Sequence, residues 1–130
     1  MTLLKGTSVT WLGHATVLVE TASGTIFLID PFLAHNPKFP KSYKLPEKID
    51  YILLTHAHID HTADAIRVAE RHGSTIVAIY ELAGYMASKG ANSTVGMNLG
   101  GSVKLAGVTV SMVEAKHSSC LLYTSPSPRD

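Results

Sequence analysis

The stretch DYILLTHAHIDH, running from Asp50 to His61, decides how this chain is read. Residues 51–54 form a short apolar run, the pattern of a strand buried on both faces. The run stops at Thr55, and His56, His58, Asp60 and His61 follow at once. They therefore sit beyond the C-terminal end of a strand, where α/β folds place their ligands. Imidazole and carboxylate both suit zinc and similar divalent ions. His56 and His58 are two apart, so in an extended segment they point to the same side. Asp60 and His61 come after the chain starts to turn, and they face a second position. Two ions about 3.5–4 Å apart are a recurrent hydrolytic arrangement. The bland alternative is a loop of surface histidines. Three histidines and an aspartate directly behind an apolar strand seldom arise for structural reasons, and neutral histidine is the commonest metal ligand. A closed structural zinc site usually draws on several cysteines, whereas Cys120 is the sole cysteine of the chain.

Working outward, residues 8–12 and 16–20 read as strands rich in β-branched residues. Residues 21–24 read as a turn, and 25–30 as the second arm of a hairpin. Residues 31–46 form a polar, proline-punctuated loop. Residues 62–72 have helical character: Ala65, Val68 and Ala69 share a face, Asp64 lies in the first turn, and Gly73 can stop the helix. Residues 75–80 read as a strand. Leu82, Tyr85 and Met86 fit a short helix ending at Lys89 and Gly90. Residues 102–105 and 108–113 alternate and are joined by Ala106 and Gly107, so they read as a hairpin. The order predicts a layered α/β arrangement in which helices cover a mixed sheet.

Composition narrows the function classes. The 130 residues carry a formal net charge of +1 and are 45% hydrophobic. A packed core is expected, and phosphate neutralisation along a nucleic acid is not. The longest apolar runs, such as residues 26–29, are far too short to cross a bilayer. Residues 1–13 hold no long apolar core, so no signal peptide is expected. A single cysteine permits no internal disulfide and fits a reducing, cytoplasmic setting. The end differs in kind. Residues 120–130, CLLYTSPSPRD, continue none of the earlier pattern and resemble translated sequencing-adapter read-through. We expect residues 1–119 to be the native part, 120–130 to be a foreign or disordered tail, and the natural protein to continue past Ser119.

HAHIDH matches the HxHxDH signature of the metallo-β-lactamase superfamily in every specified position. WLGHAT (residues 11–16), LIDPF (28–32), MNLGG (97–101) and AKHSS (115–119) resemble one branch, small metal-dependent hydrolases related to ascorbate-6-phosphate lactonases. The resemblance covers residues 8–119. It implies the N-terminal half of an αββα sandwich. It also implies that His56, His58 and His117 bind one metal while Asp60 and His61 face the second. Asp30 corresponds to a strand-end aspartate that supports the histidine loop from beneath; a plain turn residue before Pro31 is the alternative. A complete member has a bridging aspartate and a further histidine downstream of the AKHSS segment, and this chain has neither.

The expected chemistry is that of a metal-dependent hydrolase with two divalent ions. Zinc is the default, with manganese or iron as alternatives. Water activated at the metals attacks an ester, lactone or phosphodiester, and Asp60 orients it and shuttles its proton. The expected partner is a small-molecule substrate, with no nucleic acid and no membrane insertion. His14, between two strands, borders the site and is placed to contact substrate; a structural histidine is equally in keeping with its position. His35 and His72 read as solvated, Asn98 as a turn residue, and Ser118 as having no base that would make it a nucleophile. Two other readings keep the fold: an iron-binding redox protein, or a fragment that binds metal without catalysis.

Overall fold

The computed structural model describes residues 5–119. Three strands come first, β1 (Ser8–Trp11), β2 (Val17–Glu20) and β3 (Ile26–Ile29). Then follow β4 (Tyr51–Leu53), the one-turn helix α1 (Ile59–Thr62), α2 (Ala65–His72), β5 (Thr75–Ile79), α3 (Tyr80–Ser88) and β6 (Thr94–Met97). The hairpin β7 (Ser102–Leu105) and β8 (Val108–Ser111) ends the described elements. Strands β1 to β6 form one sheet in sequence order. The β1–β2 and β2–β3 pairs are antiparallel, and β3 through β6 are parallel.

Successive residues of a strand face opposite ways, and both faces of this sheet are covered. Leu28, Ile52, Ile76 and Ala78 share a core with Ala65, Val68 and Ala69 of α2 and Leu82, Ala83 and Met86 of α3. Phe27, Val77 and Met97 share a second core with Leu105, against which Val103, Val108 and Val110 of the hairpin pack. The mixed sheet with covering helices is as the sequence implied. Residues 120–130, expected to be a tail, lie outside the described residues.

Several expectations about elements need correction. The helix read over 62–72 begins at Ala65, and Thr62 closes the separate one-turn α1; between them the Asp64 N–H donates to the Pro31 carbonyl. The Asp64 carboxylate meanwhile accepts from the Leu33 and Ala34 N–H groups and from Arg67, pinning the 31–34 loop at the break. Helix α3 begins two residues before Leu82, straight from β5, and the strand read to residue 80 stops at Ile79. Strand β6 was not foreseen. Its Gly96 weakens a strand pattern, yet a Cβ there would come within 2.9 Å of the Tyr80 ring. Glycine lets the start of α3 close onto the sheet. His72 is half-buried rather than solvated, with Nδ1 2.9 Å from the Glu47 carbonyl.

The topology brings several chain segments to one edge. Ile29 pairs with Leu53 in parallel and with Val17 in antiparallel register. The ends of β3 and β4 and the turn before β2 therefore meet. Ile52, 0% exposed, lies one residue from the end of β4. We predict that Ile52→Ala costs about 2–5 kcal/mol of stability, the usual range for emptying a core site. Val113→Ala, at a side chain 77% exposed, should stay within about 0.5 kcal/mol. Urea unfolding measures both, and equal effects would contradict this placement of the sheet.

Candidate metal centre

The site grows from one buried carboxylate. Asp30, 2% exposed, follows β3 with a left-handed backbone, φ 45°. Its N–H donates to the Leu53 carbonyl at 3.0 Å, which ties it to the end of β4. Its Oδ1 accepts from the Thr55 N–H at 2.8 Å, and its Oδ2 accepts from the Thr55 hydroxyl at 2.6 Å. The same Oδ2 lies 2.8 Å from His61 Nδ1. One side chain thus fastens both ends of the HAHIDH loop.

These bonds dictate where the imidazole protons sit. A carboxylate only accepts, so His61 Nδ1 carries a proton and Nε2 keeps its lone pair. The Thr55 hydroxyl spends its proton on Asp30, so at 2.9 Å it accepts from His56 Nδ1. That leaves the lone pair of His56 on Nε2. Burial and the neighbouring charges of His61, His58 and His117, opposed by Asp30, lower the His56 pKa to about 4. The ring is therefore neutral at neutral pH, as a metal ligand must be.

The loop conformation then separates the side chains. Ala57, buried among the core residues, anchors its middle. His58 is extended, φ −59° and ψ 146°, and caps α1, which carries Asp60 and His61 on its single turn. His56 Nε2 lies 3.1 Å from His58 Nδ1, and His117 Nε2 lies 3.2 Å from the same atom. Donors around an ion with 2.0–2.1 Å bonds are about 3.3 Å apart in a tetrahedron. The two spacings to His58 are close to that value, and all three nitrogens lie within 4.8 Å of one another; a lone pair facing another nitrogen at such range is stabilised by a cation between them. The residues fit a divalent ion.

The AKHSS segment reaches this loop from beyond β8. The Ser119 hydroxyl accepts from the Ala57 N–H at 2.9 Å, and Ser118 Oγ lies 3.4 Å from His58 Nε2. The sequence assigned Ser118 no base, and the structure places a ring nitrogen of His58 beside its hydroxyl. Asp60 and His61 follow on α1, with the His61 ring 4.0 Å from that of His56, and Asp60 Oδ2 lies 3.9 Å from His61 Nε2 and 3.1 Å from His14 Nε2. The His14 ring stands edge-on to Phe32 and to His61, with centroids 5.7 and 5.1 Å away. His35 is exposed, and Asn98 forms a turn with Gly101.

The candidate metal-site residues therefore fall within one region: His56, His58 and His117 in one cluster, His14, Asp60 and His61 in another, and Asp30 beside His56 and His61. Asp30, His56 and His61 also approach one another, but hydrogen bonds already occupy the Asp30 oxygens. Thr55 and Ser119 were missed. The threonine between strand and first histidine, and the second serine of AKHSS, were the available signals.

Residues 25–129 match the β-lactamase superfamily domain. The chain belongs to the β-lactamase superfamily, with the metallo-β-lactamase fold. It is 44% identical over 119 residues to a UPF0173 metal-dependent hydrolase of Rubrobacter xylanophilus, covering 92% of this chain and 49% of that protein. Igni18, a metallo hydrolase from the hyperthermophilic archaeon Ignicoccus hospitalis, superposes with a TM-score of 0.75 at 31% identity, over 87% of this chain and 50% of that one. CmlA, a diiron β-hydroxylase from Streptomyces venezuelae, shares the fold alone, with a TM-score of 0.70 at 24% identity over 85% of this chain and 24% of that one. The chain spans about half the length of the curated relatives it matches.

We predict that Asp30→Asn weakens zinc binding about 10–100-fold, the usual cost of removing a partner that orients a ligand. An amide must aim its N–H group at one of the donors that Asp30 satisfies. Competition against a chromophoric chelator reads the affinity, and unchanged affinity would remove Asp30 from this role.

Proposed function

We propose that these residues are the metal-binding core of a hydrolase that cleaves an ester, lactone or phosphodiester of a small molecule, acting in the cytoplasm. One observation carries the reading: ring nitrogens of His56 and His117 both approach His58 Nδ1 to within 3.2 Å, all three lying within 4.8 Å of one another, while Asp30 and Thr55 fix the proton on the far side of His56. The metal-dependent hydrolase of Rubrobacter xylanophilus supports the same class. Bound divalent ions, zinc by default, would supply Lewis acidity and an acidified water. His56, His58 and His117 would hold one ion, and Asp60 and His61 would face the other. Asp30 would keep His61 in the tautomer whose Nε2 is free to coordinate.

Asp60 has the further task. Its side chain is 43% exposed, so a substrate and a water can both reach it. Its carboxylate would orient the attacking water and take the proton that water loses, then return a proton to the departing oxygen. Such general acid–base work contributes about 10²–10⁴-fold. The reaction consumes one water and yields an acid and an alcohol. We propose this activity for a protein of the relatives' length that carries these residues, because the chain spans about half of them.

The test is to assay the 130-residue chain and a version extended to the relatives' length, each with zinc or manganese, on aryl-ester, lactone and phosphodiester substrates. We expect turnover in the extended protein that chelation abolishes. His56→Ala should remove it, and Asp60→Asn should lower kcat by about 10²–10⁴. Turnover that survives both chelation and His56→Ala would overturn the reading. Iron retained in protein purified without added metal, with visible absorption and no hydrolysis, would favour redox chemistry, as in the diiron fold-mate. Metal bound without turnover in either length would leave a metal-binding protein.

A further inference from the structure

The chain between β3 and β4 runs the length of α2, and its two halves serve different places. In the first half the Asn36 amide, 7% exposed, donates to the carbonyls of Gly13 and Phe32, each at 3.0 Å. Together with the Trp11 indole N–H on the His14 carbonyl, 2.8 Å away, it holds the turn in which His14 has φ 53°. The second half lines a cavity instead. The segment is tied to both ends of α2. At the start the Asp64 carboxylate accepts from the Leu33 N–H at 2.6 Å, and at the end His72 Nδ1 lies 2.9 Å from the Glu47 carbonyl. Eight helical residues, about 12 Å, separate the ties. Turns closed by the Phe39 N–H on the Asn36 carbonyl and the Tyr43 N–H on the Pro40 carbonyl stiffen the span between them. A cavity of about 540 Å³ remains against the helix, within the roughly 300–1,000 Å³ of small-molecule sites.

The lining has two characters. Leu33, Phe39, Tyr43 and Leu45 are half-buried, packed on the main core with part of their surface left open to the cavity. The Phe39 and Tyr43 rings stand edge-on, with centroids 6.3 Å apart. Lys44 and Arg71 line the same cavity and are exposed. Among the described residues neither has an ion-pair partner. Glu47 is the only carboxylate in the lining, and residues 31–46 carry three lysines and no acidic residue. The partial negative charge at the C-terminal end of α2 opposes an anion, so both cations are needed to outweigh it and Glu47.

We propose that this cavity is a binding site, separate from the metal centre, for a small aryl carboxylate. Its ring lies against Phe39, Tyr43 and Leu45, and its carboxylate meets Arg71 and Lys44. Aromatic rings favour edge-on and offset neighbours, and the guanidinium fork matches a carboxylate. An inorganic anion would leave the apolar wall wet, and a neutral arene would leave both cations unpaired. None of these residues is a candidate metal ligand, so the proposal stands apart from the hydrolase reading.

The test is a nitrogen-15 NMR titration of the full 130-residue chain with 2-naphthoate, in excess chelator so that the carboxylate meets no metal ion. The control is 2-naphthylmethanol, of similar shape without the charge. We expect one saturable site, with the largest shifts at the amides of Phe39, Tyr43, Lys44, Leu45 and Arg71. Hydrogen bonds to charged groups are strong enough that the alcohol on the unaltered chain, and the carboxylate on Arg71→Gln, should each bind about 10–100-fold more weakly. Lys44→Gln should weaken the carboxylate too, and Arg71→Lys, which keeps the charge without the fork, should fall between. Both side chains are exposed, and the spectra of the unliganded variants report their folding. Equal affinity for carboxylate and alcohol, or for the unaltered chain and Arg71→Gln, would overturn the assignment. Shifts centred on the histidine clusters, or no saturation by either compound, would overturn the site. Binding must also persist in a protein extended to the relatives' length; its loss there would mean that the added chain covers the cavity, and would overturn the site as well.

Discussion

Asp30 places a carboxylate, 2% exposed, at the end of a parallel strand. Burying such a group is costly unless it is fully hydrogen-bonded. Three donors meet the need: the Thr55 N–H, the Thr55 hydroxyl and His61 Nδ1. Each of these bonds also sets something at the metal centre. The two threonine bonds fix where the loop leaves β4, and the hydroxyl bond sets the direction of the proton shared with His56. The histidine bond ties down the other end of the loop and frees Nε2 of His61. The burial cost of Asp30 and the aim of two imidazoles are therefore one constraint, met here through the parallel β3–β4 register.

The rest of the fold brings groups to that constraint. The antiparallel β1–β2 pair delivers the Gly13–His14 turn to the same sheet edge. The hairpin β7–β8 covers the face opposite the helices, and the chain then returns to the loop through His117, Ser118 and Ser119. Ala57 sinks into the core, and the four potential ligands around it stay half-exposed. The apolar core thus holds the loop, while the polar bonds orient it. The helix break at Asp64 belongs to the same design. Its carboxylate anchors the 31–34 loop, which carries Phe32 against His14.

Much of this was legible in the residues, for definite reasons. The strand before Thr55 and the donors after it are local, so their pattern alone brings His56, His58, Asp60 and His61 together at the strand's end. Gly73 as a helix stop and Ala106–Gly107 as a hairpin turn are also local, and both appear as read. His117 meets the loop across the fold, so only a family resemblance connected them. The β6 strand was illegible because its Gly96 serves a contact with Tyr80 that no local pattern reports. The helix break was illegible because the Asp64 N–H that lies in it bonds to Pro31, far away in sequence. Thr55 matters through its partner Asp30, and the left-handed backbone of His14 is a consequence of Asn36 and Trp11.

The most direct test concerns protons rather than metals. In the metal-free chain labelled with nitrogen-15 histidine, long-range proton–nitrogen correlation spectra at neutral pH report the tautomer of each ring. If Asp30 orders the site as described, His56 and His61 both carry their proton on Nδ1, leaving Nε2 bare and facing the cluster. A proton on Nε2 of either ring, or a rapid exchange of tautomers there, would contradict the account.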